Sequence, residues 1–171
     1  MSEIYSELDQ YDYIEDDYFE IALGKYSSLI GEFFMHFSYL EHELEIAIVE
    51  FVSSRSHDVG YLFITKIERM SDKIDLFYKY YKMFEHFTEK KISRLDEIDH
   101  ALKSISSFRN NLAHAKWQSI QKSGLVRVKV KSDKATGVIQ FKNLVIKPKD
   151  IRDKIKEINR LVIKIEKFRE M

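Results

Sequence analysis

The chain has no cysteine, only one proline and only five glycines in 171 residues. Lacking thiols, it can have no disulfide framework, no cysteine nucleophile and no thiolate zinc centre. So few breakers leave room for long helices. No apolar run reaches the roughly 18 residues that a membrane-spanning helix needs. The start, Met1-Ser2-Glu3-Ile4-Tyr5, lacks the basic-then-apolar layout of a secretory signal. A cytoplasmic protein that does not engage the membrane is therefore expected. Charge of one sign is missing in two places. Residues 1–20 have no lysine or arginine but carry Glu3, Glu7, Asp9, Asp12, Glu15, Asp16, Asp17 and Glu20. Residues 122–149 carry Lys122, Arg127, Lys129, Lys131, Lys134, Lys142, Lys147 and Lys149 against the single acid Asp133. The formal net charge of zero hides this polarity.

The remaining composition, 44% hydrophobic and 13% aromatic, is enough for one well-filled core. We expect a single domain over residues 21–171, preceded by a flexible acidic arm over 1–20. The arm reads either as a solubilising tail or as a nucleic-acid mimic that covers a basic surface.

Apolar residues at three-four spacing mark the helices. Ile30, Phe33, Phe37, Leu40, Leu44, Ala47 and Phe51 predict a first helix over about 25–53. The same spacing resumes after a polar break and runs from Phe63 through Ile67, Met70, Ile74, Phe77 and Tyr81 to Phe84, which predicts a second. A third is expected from Glu89, capped by Thr88, through Leu95, Ile98, Leu102 and Ile105. The next seam positions by the same count are 109 and 112, so an arginine lands where a core residue is due. After Trp117, expected to close the end of the bundle, the period changes to two. Val126, Val128 and Val130 alternate with Arg127, Lys129 and Lys131, and Val138-Ile139-Gln140-Phe141 follows a loop. This predicts a β-hairpin over about 123–146. Pro148, with Asp150 as helix cap, then opens a fourth helix through Ile151, Ile155, Ile158, Val162 and Ile165. The expected fold is mainly α: a four-helix bundle with a hairpin between its third and fourth helices.

Chemistry concentrates in Ser107-Phe108-Arg109-Asn110-Asn111-Leu112-Ala113-His114-Ala115. Arg109 is a permanent cation and His114 a group that titrates near neutrality, while Asn110 stands one helical turn before His114. Such a pair can hold phosphate charge and move protons without a metal. A guanidinium on a core seam demands an anion, either an internal acid such as Glu41 or a ligand. The other histidines, His36, His42, His57, His86 and His100, are scattered. Glu41-His42-Glu43-Leu44-Glu45-Ile46 lacks the second histidine that a zinc-protease helix requires, and no metal or other cofactor is expected. Lys73 reads as a surface lysine, and the aromatic residues Tyr78, Tyr80, Tyr81 and Phe84 as mostly core. The basic hairpin face of Arg127, Lys129 and Lys131, extended by Lys142 or Lys134, reads either as a phosphate track or as an edge guarded by lysine against aggregation.

The string Phe108-Arg109-Asn110-Asn111-Leu112-Ala113-His114 resembles the arginine-x4-6-histidine motif of HEPN domains, a superfamily of up-and-down four-helix bundles rich in ribonuclease toxins and defence proteins. The polar residue after the arginine matches; Ala115 stands where many relatives have glycine. Less specifically, Tyr39-Leu40-Glu41, Lys73 and an insertion before the closing helix fit the same architecture. The resemblance implies metal-independent RNA cleavage with His114 as general acid or base and Arg109 stabilising the phosphorane. Asn110, Glu41 and Lys73 would take supporting parts. It further implies a homodimer with a composite site and a toxin–antitoxin or antiviral role, with a nucleotidyltransferase-type antitoxin as a partner. The alternative from another class is a noncatalytic HEPN-like module that binds nucleotide, RNA or protein, since fold alone does not choose between them.

Overall fold

The computed structural model describes residues 17–53, 56–114, 116–120, 124–132, 137 and 139–169. It is mainly helical, in the order α1 (Asp17–Val52), α2 (His57–Ile64), α3 (Met70–Thr88), α4 (Leu95–Ala113), β1 (Lys116–Ile120), β2 (Gly124–Ser132), β3 (Ile139–Val145) and α5 (Pro148–Arg169). The chain divides into two compact units, Met35–Arg109 with Ile155–Met171, and Met1–Phe34 with Asn110–Lys154.

The first of these is a bundle of packed helices. Leu40 and Leu44 of α1, Ile74 and Phe77 of α3, Leu102 and Ile105 of α4, and Ile158 and Ile165 of α5 are all buried. Each such side chain contributes about 1.5–3 kcal/mol when removed from water. Aromatic contacts join the helices. Phe51 of α1 stacks on Tyr80 of α3 with ring centroids 5.2 Å apart, and Phe168 of α5 meets Tyr81 at 5.1 Å. Gly60 of α2 lies so near α1 that a Cβ there would come within 2.6 Å of Val49 Cγ1, so the approach requires glycine.

Three sequence expectations are corrected in this unit. The apolar period running from Phe63 to Phe84 belongs to two helices, because Lys66 and Ile67 donate to Phe63 O and Ile64 O in tight turns and Arg69 is extended. In α2 the counted residue Phe63 is 42% exposed and Ile64 is buried in its place, so the count follows the core only in α3, at Ile74, Phe77 and Tyr81. Thr88 ends α3 instead of capping α4: its Oγ1 donates back to Phe84 O at 2.7 Å. Glu89 follows in the left-handed region at φ 56°, and α4 starts only at Leu95, after Arg94 at φ 68°. Arg109 does not hold the counted core slot. Phe108 does, at 1% exposure, with Arg109 half-buried beside it.

The second unit contains the sheet, antiparallel throughout and ordered β1-β2-β3. Where a hairpin over 123–146 is expected, three strands are present, and the first begins at Lys116. Trp117 lies in β1, at the register position opposite Arg127. Gly137 takes φ 70° in the connection from β2 to β3, a left-handed conformation that glycine adopts without the cost of a Cβ. Tyr26 of α1 donates its hydroxyl to Ile146 O at 2.8 Å, and Ile146 is fully buried. At the start of α5, Pro148 sits at the first helical position, where its missing N–H costs nothing. Asp150 is therefore not the cap itself. It acts from the third helical position, its Oδ2 accepting the Lys147 N–H at 2.9 Å. The first helix begins at Asp17, eight residues earlier than expected; residues 1–16 of the acidic arm lie outside the described residues.

Candidate functional site

The helix that carries the arginine–histidine string forms because Leu95, Ile98, Leu102, Ile105, Phe108 and Leu112 recur on one buried stripe. Its last bond is the His114 N–H to Asn110 O at 3.1 Å, so the helical turn reaches His114. Asn110 and His114 are both exposed, and that bond fixes them one turn apart. An imidazole in this position is open to solutes, with a carboxamide of fixed spacing beside it on the same helix end. Arg109, the last residue of the helical unit, has its guanidinium carbon 5.8 Å from the centroid of the Phe37 ring, within cation–π range. Ala115 lies outside the described residues.

Glu41, considered as an anion for Arg109, is engaged by Lys73. The Lys73 ammonium donates to Glu41 Oε1 at 2.7 Å and to Glu45 Oε1 at 2.5 Å. Lys73 is also not the surface lysine that its sequence neighbours suggest, for it is buried at 6% exposure between α1 and α3. Burial works against its charge, but the hydrogen bonds it donates to Glu41 and Glu45 outweigh it and raise the pKa above the ordinary lysine value. The ammonium thereby offsets one of the two carboxylate charges and ties two helices together.

A second cluster of this kind escapes sequence reasoning altogether. Arg169, near the end of α5, donates through Nε and Nη2 to both oxygens of Glu50, each at 2.7 Å, and through Nη1 to Glu43 at 3.0 Å. The Arg169 hydrogen bonds hold the Glu50 carboxyl below its usual range, and Glu50 in turn raises Arg169. The partners are 119 and 126 residues apart in the chain, so no local pattern announces them. Beside them is a cavity of about 140 Å³ walled by Phe51, Tyr81, Phe84 and Phe168. Burial pushes the Tyr81 hydroxyl up to about 12. Of the other aromatic residues expected in the core, Tyr78, Tyr80 and Phe84 are half-buried.

The basic candidates Arg127, Lys129 and Lys131 all fall on β2, the central strand, and Lys142 falls on β3 directly opposite Lys129. Lys134 lies outside the described residues. His42, His57, His86 and His100 are exposed and His36 is half-buried. Among the described residues no group of histidine and acidic side chains is arranged to hold a metal ion, and no helix is long and apolar enough to cross a membrane. Comparison with family models, with curated proteins and with solved structures returned no match.

Proposed function

We propose that this chain is a metal-independent endoribonuclease of HEPN type. The observation that carries the reading is the end of α4, where His114 is exposed one turn beyond exposed Asn110 in the string that resembles the HEPN motif. In this reading a ribose 2′-hydroxyl of the substrate attacks the adjacent phosphorus while His114 accepts its proton. The P–O5′ bond breaks, the leaving oxygen takes a proton, and a 2′,3′-cyclic phosphate and a 5′-hydroxyl result. Arg109 stabilises the charge that builds on the phosphorane oxygens, and Asn110 orients the phosphate or the imidazole. One imidazole serves one oxygen at a time. A second copy of the chain, bringing its own His114 across a twofold axis, supplies the other proton transfer, and the working form is a homodimer. Glu41 and Lys73 support the site from a distance as the ion-paired brace of α1 against α3. The biological setting of this reading is a toxin–antitoxin or antiviral system, with a nucleotidyltransferase-type antitoxin as the controlling partner.

The test is incubation of the purified protein with total RNA in EDTA, beside Arg109→Ala and His114→Ala variants of unchanged circular dichroism. The wild type cleaves and leaves cyclic phosphate ends, and each variant loses about 100-fold or more in rate. No cleavage by the wild type, or equal cleavage by the variants, overturns the assignment.

A further inference from the structure

A buried tyrosine hydroxyl normally finds a hydrogen-bond partner, and one that does not calls for a reason. Tyr81 of α3 is 5% exposed, and its hydroxyl forms no hydrogen bond among the described residues. It lies instead in the wall of the cavity of about 140 Å³ beside the Arg169 cluster. Every residue of that wall belongs to the helical unit. Burial first, and then the Glu50 charge, push the hydroxyl up to about 12. At neutral pH it is therefore a donor that lacks an acceptor.

Three helices build the cavity. α1 supplies Glu50 and Phe51, α3 supplies Tyr81 and Phe84, and α5 supplies Phe168 and Arg169. Ring contacts run from Phe84 to Phe51 at 6.3 Å between centroids, on to Tyr81 at 5.5 Å and then to Phe168 at 5.1 Å. The series does not close, since Phe84 and Phe168 make no ring contact with each other among the described residues. Successive rings are inclined by 74°, 51° and 62°, within the tilted and edge-to-face range that aromatic groups favour. A further ring entering the cavity meets surfaces of the same kind.

Water is a poor occupant. Each molecule takes about 30 Å³ and needs two to four polar partners, whereas most of this wall is aromatic carbon. An apolar cavity of about 150 Å³ is large enough to take up benzene. A charged ligand is opposed as well. Glu50 and Arg169 occupy each other through two hydrogen bonds of 2.7 Å, and Glu43 accepts a third from the guanidinium. An anion would meet two carboxylates, and a cation would sit beside the guanidinium. The Glu50 oxygens nonetheless keep lone pairs after accepting from Arg169, so an acceptor remains at the cavity.

We propose that this cavity binds a neutral single-ring aromatic molecule of about phenol's size, its ring among Phe51, Tyr81, Phe84 and Phe168 and its polar group accepting a hydrogen bond from the Tyr81 hydroxyl. A hydroxyl on the ligand can in turn donate to Glu50. Because the wall draws on α1, α3 and α5, the bound ring holds the last turn of α5 to the other two helices, and binding stabilises the helical unit. The site is independent of the ribonuclease reading, since no residue of its wall belongs to the Arg109–His114 string.

Phenol itself is the probe. Ala47, which lines the cavity at 1% exposure, is the reporter. In protein isotope-labelled at alanine methyl groups, phenol should shift the Ala47 resonance to saturation, with a dissociation constant of about 1 mM for a ligand of about seven non-hydrogen atoms. At about 10 mM phenol the unfolding midpoint should rise by about 4 °C. Tyr81→Phe removes the hydroxyl alone, so phenol should bind about fivefold more weakly while benzene binds as before. Ala47→Leu fills the cavity and should abolish the rise in midpoint. An Ala47 shift that is absent or grows without saturating overturns the site, as does undiminished binding by a folded Ala47→Leu protein. Equal affinity of the wild type and Tyr81→Phe for phenol overturns the hydrogen bond that selects the ligand, and this comparison stands even where Ala47→Leu fails to fold. Tighter binding of tetramethylammonium than of phenol overturns the neutral assignment.

Discussion

The helical unit and the sheet both carry dense charge, and they handle it in opposite ways. In the helices, several cations meet acids supplied by other helices: Lys73 meets Glu41 and Glu45, and Arg169 meets Glu43 and Glu50. Lys103 of α4 likewise meets Asp75 of α3. In the strands, five cations occur with no acid among them. Charge that is cancelled within the fold acts on stability. Charge of one sign crowded on neighbouring strands repels itself, as Lys129 directly opposite Lys142 does. Substitutions that break ion pairs in the first region should therefore lower stability, whereas neutralising Lys129 or Lys142 in the second should not.

The largest effect expected of this contrast is at Lys73. Removing one partner of a buried ion pair strands the others, and Lys73→Ala leaves two carboxylates without their cation between α1 and α3. We expect a loss of about 3 kcal/mol in urea unfolding, at the lower end for a buried pair because Glu41 and Glu45 keep about a quarter of their side-chain exposure. A loss below about 0.5 kcal/mol would show that the triad is no brace and would erase the distinction between the regions. Because the folded pKa of Lys73 is raised, its contribution is fully present below the ordinary lysine value of 10.5 and is lost as pH rises through the folded value.

A smaller effect, with the opposite pH sense, is expected at Glu50. Its folded pKa is depressed by Arg169, so the stability it contributes is present above the ordinary glutamate value of 4.5 and disappears as pH falls through the folded one. Glu50→Gln should cost about 1 kcal/mol at pH 7, since the pair is partly exposed, and should flatten the decline of stability below about pH 4.5. Parallel acid denaturation curves for the two proteins would remove Glu50 from the account.

The sequence made the helical faces legible but not where helices begin and end. Ile74, Phe77, Leu102, Ile105, Ile158 and Ile165 are buried as their spacing requires. Periodicity is blind, however, to a turn between two helices, so α2 and α3 merge into one expected helix whose first counted residue, Phe63, is exposed while Ile64 is buried. It is equally blind to which of two neighbours fills a slot, so Arg109 was counted in place of Phe108. The site divides along similar lines. Arg109, Asn110 and His114 are visible as a local string, and the cations of β2 as alternation. The Lys73 triad and the Arg169 cluster join acids and bases 28 to 126 residues apart, which only the packed fold brings together. That β2 is central depends on a first strand for which Lys116–Ile120 shows little alternation.

The connection between α3 and α4 gives the smallest and most selective test. Glu89 and Arg94 both hold left-handed backbone, which costs a residue with a Cβ roughly 1–2 kcal/mol. Glycine at position 89 would remove that cost at the C-terminal cap of α3, but the unfolded chain gains freedom worth about 0.4–1 kcal/mol. The difference leaves Glu89→Gly stabilising by about 0.5 kcal/mol in urea unfolding at unchanged m-value. The segment is held independently by the Ile92 N–H donating to Glu85 Oε1 at 2.7 Å, which also keeps the Glu85 carboxyl below its usual range. If Glu89→Gly destabilises instead, the glutamate side chain has a structural part that outweighs the backbone strain. If it stabilises, the strain of the left-handed backbone outweighs whatever the glutamate side chain contributes, and the helical unit gains stability with its ion pairs unchanged.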